Sequence, residues 1–439
     1  MKKVSSAVLA GALAVSLTAC GTSKPAETPA PQTEAATEAA TEAATEAATE
    51  EAKGENVEIS FWHAMNGVNE EALQKITDDF MKEYPNIKVN MVNQGGYLDL
   101  FDKLMASAKA KQLPNLSQVY SNRLSWYVDK GLALDLTPYI NDSEIGLTAE
   151  DKADFPAMFM DDCIWGDAQY AMPLNKSMMV LYYNEGMFQE AGIEVPTTWE
   201  EWADAAEKLT KDTDGDGEPD VYGIVFANNL STDIAPWLKQ AGGATMNEET
   251  NELYFDTPET KEAIEFLNSM FQNKSARFAG EDKNANVPVQ QGRAAMCVAS
   301  TSALPAHKTD DQLYYGTNVA AFNVGSDAEK EASWLYLKFL TKTENTAYFA
   351  AQTGYIPVRK SAEKDPVFAE VLKEKPIKQL CFDCMDRGFQ GTRNIGGINA
   401  LDALGDQLDL VFSGEKDIDT ALKDAQANGE KAMEEARNN

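Results

Sequence analysis

The chain predicts an α/β fold, and three neighbouring segments carry that expectation. Val57-Glu58-Ile59-Ser60-Phe61-Trp62 alternates apolar and polar residues as a half-buried strand does. Residues 69–84 carry apolar side chains at helical spacing until Pro85 stops the run. Residues 87–92, Ile-Lys-Val-Asn-Met-Val, alternate again. Strand, helix and strand in that order form an α/β unit. The pattern recurs with a helix over 97–111, a strand over 116–120 and a short helix over 125–130. Two extended pieces follow, 170–175 and 178–183. Thr198 and Glu201 then form a capping box at the start of the next helix, which makes Trp199 and Trp202 core staples rather than ligand platforms. Helices over 258–272 and 328–341 flank a strand over 294–299, and the chain beyond Pro357 is mainly helical, ending in the charged segment 417–437.

The 439 residues are 44% hydrophobic and 25% charged, enough for two or three domain-sized units. With 70 acidic against 38 basic residues the formal net charge is -32. Nucleic acid is excluded as a partner, because phosphate binding needs a basic footprint. Two histidines, His63 and His307, exclude histidine-cluster mechanisms, and five cysteines are too few for a disulfide scaffold.

Lys2 and Lys3 precede a small, apolar run over 4–17 that is too short to span a bilayer. Residues 1–19 are read as a signal peptide. Leu17-Thr18-Ala19-Cys20 resembles the lipobox of bacterial lipoproteins, in which the signal is cut before a cysteine that is then acylated; the plainer reading is a secretory signal with an incidental cysteine. Two or three acyl chains, at about 0.8 kcal/mol per buried methylene, hold a protein stably on a membrane. Lipidation is assigned to Cys20, on the extracytoplasmic face of the cell membrane. Residues 20–56 are Ala, Glu, Thr and Pro, with Glu34, Glu38, Glu42, Glu46 and Glu50 four apart. Like charges at that spacing weaken a helix, so a disordered acidic tether is expected.

Five motifs stand in order: Phe61-Trp62-His63-Ala64-Met65-Asn66-Gly67, Pro173-Leu174-Asn175 with Val180-Leu181-Tyr182-Tyr183-Asn184, Pro196-Thr197-Thr198-Trp199-Glu200-Glu201-Trp202, Gly292-Arg293-Ala294-Ala295-Met296, and Gly354-Tyr355-Ile356-Pro357. From Val57 onward the chain resembles the extracellular solute-binding lipoproteins of carbohydrate ABC importers, nearest to their glycerol-3-phosphate-binding branch. The resemblance implies a two-lobed, periplasmic-binding-protein-like α/β fold with interleaved lobes, hinge crossovers and a ligand cleft between them. The N-terminal lobe is expected over 57–172 plus about 303–350, and the C-terminal lobe over 173–302 plus about 351–439. Lobe closure on a sugar or sugar-phosphate, followed by delivery to an ABC permease, is the implied mechanism. A monomer is expected.

The resemblance carries over Tyr97, Ser300, Thr301, Gly316, Tyr355 and Arg393 as ligand contacts. Tyrosine offers a face for sugar carbons and a hydroxyl for hydrogen bonding, and Arg393 could fork onto a phosphate. Lys176 and Ser177 beside the crossover are further candidates, as are His63, which either donates to ligand or caps the following helix, Ser121 and Trp237. The chain departs from the branch in three places. Ser121 stands where the branch has a carboxylate, 227–231 lack its tryptophans with Trp237 alone nearby, and 303–315 is shorter. These put the ligand's identity in doubt more than its class.

Asp212, Asp214, Asp216, Glu218 and Asp220 follow calcium-loop spacing with Gly217 at the sixth position, but Gly223 replaces the twelfth-position glutamate. A structural calcium ion and a solvated acidic turn both fit. Cys381 and Cys384 have the spacing of a local disulfide or of two thiols, while Cys163 and Cys297 stand alone in apolar runs. The competing function is a surface glycoside hydrolase, which needs two carboxylates about 5–9.5 Å apart across the cleft; no motif marks such a pair. A third reading is an adhesion lipoprotein, for which the ordered motifs are superfluous.

Overall fold

A computed structural model describes residues 55–231, 233–301, 313–383, 385 and 388–438. The signal, Cys20, nearly all of the tether, His307 and Cys384 lie outside them. Eleven strands are present among the described residues: β1 (Val57–His63), β2 (Ile87–Asn93), β3 (Leu116–Val119), β4 (Ile164–Trp165), β5 (Ala168–Gln169), β6 (Ala171–Tyr183), β7 (Tyr222–Phe226), β8 (Ala276–Phe278), β9 (Ala294–Ser300), β10 (Leu313–Ala321) and β11 (Phe389–Gln390). The order β2-β1-β3-β10-β6-β9-β7-β8 runs through one sheet, with β11 added on β10 and β4 paired with β5 separately.

The sheet has two parallel ends joined by an antiparallel middle. Strands β2, β1 and β3 are parallel, as are β8, β7 and β9. Between them β10 runs antiparallel to β3 and β6, and β6 antiparallel to β9. The two extended pieces expected at 170–175 and 178–183 are thus one strand of 13 residues, roughly 40 Å long at ~3.3 Å per residue. Its first part pairs with β10 and its last part with β9, so it belongs to both halves. Pro173 is accommodated because the β10 register shifts between Thr317 and Asn318, opposite it; a bulge is where a residue without an N–H fits a ladder.

Hydrophobic burial largely follows the same division, although the first cluster also takes in Val225, Ala294 and Cys297 from β7 and β9. One cluster gathers Ile59, Phe61, Leu73 and Phe80 with Trp334, Tyr336 and Leu340. Another gathers Trp202, Ile224, Phe226, Ile264 and Leu267 with Leu404 and Leu422. The helices begin as their sequences direct: Thr198 and Ser326 accept from the backbone N–H of Glu201 and Glu329, each completing a capping box. One boundary differs from expectation. Residues 351–383, placed with the C-terminal lobe, pack against the first half: Ile356, Val358 and Leu380 enter its core. Arg359 anchors the segment, donating to the carbonyls of Thr341 and Asp151, each at 2.7 Å, and stacking over Phe155.

Behind the joining strands lies a buried polar cluster. Lys176 on β6 pairs with Asp162 at 2.6 Å, and both side chains are at most 5% exposed. Ser121 and Asn318 also donate to the Asp162 carboxylate. Burial alone would raise that carboxyl, but the Lys176 ammonium and these hydrogen bonds outweigh it and hold Asp162 below the ordinary carboxylate range. A depressed folded pKa contributes stability that is complete above the unfolded value of about 3.9 and is lost as pH falls through the folded value. Replacing Lys176 by Met leaves an unpaired buried carboxylate, so Lys176→Met lowers unfolding free energy by about 3–5 kcal/mol in urea titrations at neutral pH. Adding Asp162→Asn recovers much of this loss and flattens the acid limb of the stability curve.

Candidate ligand-binding site

The carboxyl ends of parallel strands, where strand order switches, are where open α/β sheets bind ligands. Tyr120 follows β3, Ala227 follows β7 and Lys283 follows β8, and all three line one cavity of about 390 Å³ at the joining strands. Five expected residues meet there: Tyr97, Ser177, Ser300, Gly316 and Tyr355. Gln94-Gly95-Gly96 turns the chain so that Tyr97 opens the helix Tyr97–Ala110, with Gly95 at φ 96°. Burial, then the neighbouring hydroxyls of Tyr355 and Tyr120, pushes the Tyr97 phenol far above its ordinary range, so it is a neutral hydroxyl. Its oxygen accepts from Asn175 at 3.1 Å. Tyr97 and Tyr120 lie 5.3 Å apart between ring centroids.

Gly316 owes its place to backbone contact. With φ 114° it pairs with Lys176, and a Cβ there would stand 1.9 Å from the Asn175 carbonyl oxygen. Only glycine lets β10 close on β6 at this point.

Sequence reasoning passed over Tyr120, Asn175, Asp233, Lys283, Asn284 and Asn286, which also line the cavity. Asn175 was visible, since strand alternation places it with Ser177 on one face. Asn175 is held by Gln118, which donates to it at 2.9 Å, and by the Thr317 hydroxyl. The loop residues 283–286 carried no pattern that marks them. Lys283 adopts φ 64° at the end of a short 3₁₀ turn.

Six other candidates are placed elsewhere. Lys176 points away from Asn175 and Ser177, as the period of a strand requires, and is committed to Asp162 with Ser121. Thr301 is turned back, its hydroxyl accepting from the Met178 N–H at 3.2 Å. Trp237 is 6% exposed and packs edge-on to Trp202 in the second core. His63 is 1% exposed, and its Nδ1 accepts from the Met65 N–H at 3.3 Å. Burial lowers its pKa, so it is neutral, and Gly67 rather than His63 precedes the helix Val68–Glu83, with no side-chain cap. Arg393 does not line the cavity; it donates to the carbonyls of Asp161 and Ile164 and stacks over Trp165 at 5.6 Å. A side chain expected to grip a phosphate instead ties the segment after β11 to the first half.

In the acidic loop, carboxylate oxygens of Asp212, Asp214 and Asp216 come within 4.8 Å of one another. Glu218 pairs with Lys274, and Asp220 accepts from the Thr213 N–H at 2.8 Å. Three of the five expected ligands therefore converge, while the other two side chains are turned to protein partners. Cys163 and Cys297 are buried thiols; burial pushes Cys297 up to about 12 and Cys163 higher, so neither is a nucleophile at neutral pH.

A cavity at the junction of two α/β halves, lined by tyrosines, amides and hydroxyls, has the form of a site for a small polar solute. The chain belongs to the bacterial extracellular solute-binding protein family, whose model it matches over residues 75–376. It is similar to the sn-glycerol-3-phosphate-binding periplasmic protein of Rhizobium meliloti, at 23% identity over 417 residues that cover 87% of this chain and 95% of that one. The protein of that name from Escherichia coli K12 is also 23% identical, covering 85% and 92%. Among solved structures, UgpB of Mycobacterium tuberculosis in complex with glycerophosphocholine superposes with TM-score 0.74 at 22% identity, covering 86% of this chain and 98% of that one. A Listeria monocytogenes ABC substrate-binding protein in complex with cycloalternan gives 0.73 at 21%, covering 87% and 100%. The protein is the solute-binding component of an importer, and no helix among its described residues is long and apolar enough to cross a membrane.

Because Arg393 serves backbone carbonyls, Arg393→Ala lowers the stability of the ligand-free protein by about 1.5–3 kcal/mol, the range for hydrogen bonds to a charged group. Denaturant titration checks this. In calorimetry the same variant does not discriminate against anionic ligands.

Proposed function

We propose that the protein captures a neutral, hydroxyl-rich saccharide outside the cell by closure of its two halves and hands it to an ABC permease without cleaving it. The supporting observation is the cavity itself: Tyr97, Tyr120 and Tyr355 stand with Asn175, Asn284, Ser177 and Ser300 where both halves meet. Rings of this kind cover sugar carbons, and amides and hydroxyls pair with sugar hydroxyls. Contacts to both sides favour the closed state. Hydrolysis would need a second carboxylate opposite Asp233, which is the acid among the described lining residues.

A glycerophosphate ligand is the second reading, supported by the names of the curated relatives and by Lys283 in the lining. The net charge of -32 opposes it, since local donors would have to overcome the protein's own field. Anchoring through acylated Cys20, a monomeric state and a calcium ion at Asp212, Asp214 and Asp216 complete the proposal.

Isothermal calorimetry against glycerol-3-phosphate, glycerophosphocholine and neutral oligosaccharides decides between the readings. Tyr97→Ala weakens the true ligand about tenfold or more, equivalent to roughly 1.4 kcal/mol. Lys283→Ala changes a neutral saccharide's affinity by less than about threefold but an anion's by tenfold or more. Release of reducing ends would refute capture without turnover. Millimolar calcium raises the melting temperature of the wild type and not of Asp214→Ala; equal melting curves would remove the ion from the loop.

A further inference from the structure

A side-chain amide can be turned either way round, but a backbone N–H can only donate. That asymmetry fixes the direction of a hydrogen-bond chain behind the main cavity. Gln118 on β3 is fully buried and does not line the cavity. Its Oε1 accepts from the Ala64 N–H at 2.9 Å, inside the motif over 61–67. The other end of the amide is therefore Nε2, and both of its hydrogens are used: one goes to the Asn175 Oδ1 at 2.9 Å and the other to the Thr317 Oγ1 at 3.1 Å. Thr317 gives its own proton to the same Asn175 oxygen.

With two donors on its oxygen, Asn175 has to turn its Nδ2 toward Tyr97, where it donates to the phenol oxygen at 3.1 Å. Tyr97 is a neutral hydroxyl and shares a hydrogen bond with Tyr355. Whichever of these two phenols gives to the other, one hydroxyl proton is left over, and it faces the cavity that both residues line. The chain that starts at a backbone donor thus ends in a phenolic donor. Bonds aligned in one sense polarise one another, which strengthens that last donor. Were the Gln118 amide reversed, Tyr97 would give its proton to Asn175 and the pair would offer lone pairs instead.

We propose that Gln118 is a positioning residue that makes the Tyr97–Tyr355 pair a hydrogen-bond donor toward the cavity, so that the ligand atom seated there is an acceptor oxygen. The inference rests on the reading of this cavity as the capture site and adds a selection rule to it. Ring, ether and hydroxyl oxygens of a saccharide satisfy the rule, and so do phosphate oxygens. An ammonium group at that point would face a donor and leave a buried polar group unpaired, which is how a site rejects a near-isostere.

Neutron diffraction from deuterium-exchanged crystals of the ligand-free protein reads the chain directly. The deuteron on the Tyr97 oxygen is expected to point to Tyr355 or into the cavity; a deuteron bonded to Tyr97 and directed at Asn175 overturns the proposal. Calorimetry with methyl glucosides, mannosides, galactosides and xylosides, each with its monodeoxy and monodeoxyfluoro forms, reads the consequence. At one hydroxyl position fluorine, which accepts but cannot donate, keeps the Kd within about threefold where hydrogen costs about tenfold or more. Gln118→Met brings these two derivatives to within about twofold of each other, and has no such effect in the Tyr97→Phe background. A merely structural role would weaken both derivatives equally and preserve their ratio, and that result overturns the assignment of Gln118. Asn175→Asp is the second variant should Gln118→Met not fold: it still accepts from Gln118 and Thr317 but draws the Tyr97 proton inward, and it abolishes the advantage of fluorine. With glycerophosphocholine as the probe, Gln118→Met weakens binding about fivefold or more in the wild type and less than about twofold in the Tyr97→Phe background, and equal losses overturn the proposal. Failure of all these probes to bind overturns the capture reading, and the neutron result then decides the direction of the chain by itself.

Discussion

Strand alternation along β6 is the constraint on which the rest of the molecule depends. This strand is buried along almost its whole length and pairs with β10 over one part and β9 over the other. Because successive side chains leave a strand on opposite faces, Asn175 and Ser177 enter the cavity while Lys176 enters the polar cluster around Asp162. Binding face and ion pair are set by one register. A slip of a single residue would place an ammonium in the cavity and an amide against a buried carboxylate.

The ion pair also explains why the joining region can be polar on both faces without losing definition. Asp162 accepts from Lys176, Ser121 and Asn318, and the Gly316 close approach locks β10 against the same stretch of β6. Buried charges with several geometrically fixed partners tolerate few alternative arrangements, whereas apolar packing alone would admit neighbouring registers. The cavity wall is therefore positioned from behind, by groups of the polar cluster that do not line it.

Much of the fold was legible in the sequence because its signals are local. The helix start at Trp199 follows from its capping box, and the strands over 57–62 and 87–92 from alternation, within a residue or so of the observed ends. The breaks in the reading came from tertiary constraints. The break expected over 176–177 is absent, because β6 passes from its pairing with β10 to its pairing with β9 without interruption. Residues 351–383 carry no local mark of which half they join, and Arg359 decides it by reaching Thr341 and Asp151. In the site, Tyr97, Ser300, Gly316 and Tyr355 came from the resemblance and Ser177 from its place beside the crossover, whereas Lys283, Asn284 and Asn286 lie in a loop whose only distinction is where the sheet delivers it. Arg393 was carried over by the resemblance and Trp237 named for its place near 227–231, but the first is occupied by backbone carbonyls and the second by aromatic neighbours.

The charge of the chain bears on this arrangement as well. With 70 acidic residues and a cavity whose described lining includes one ammonium and one carboxylate, Lys283 and Asp233, electrostatic attraction contributes little to capture of an anion. Recognition then has to come from surface complementarity and from hydrogen bonds made as water leaves, terms that are insensitive to salt. Those same terms require both halves to approach, since neither half alone carries the full set of rings, amides and hydroxyls. Closure is consequently a property of the binding surface itself, and β6, which belongs to both halves, is the element across which that closure must be transmitted.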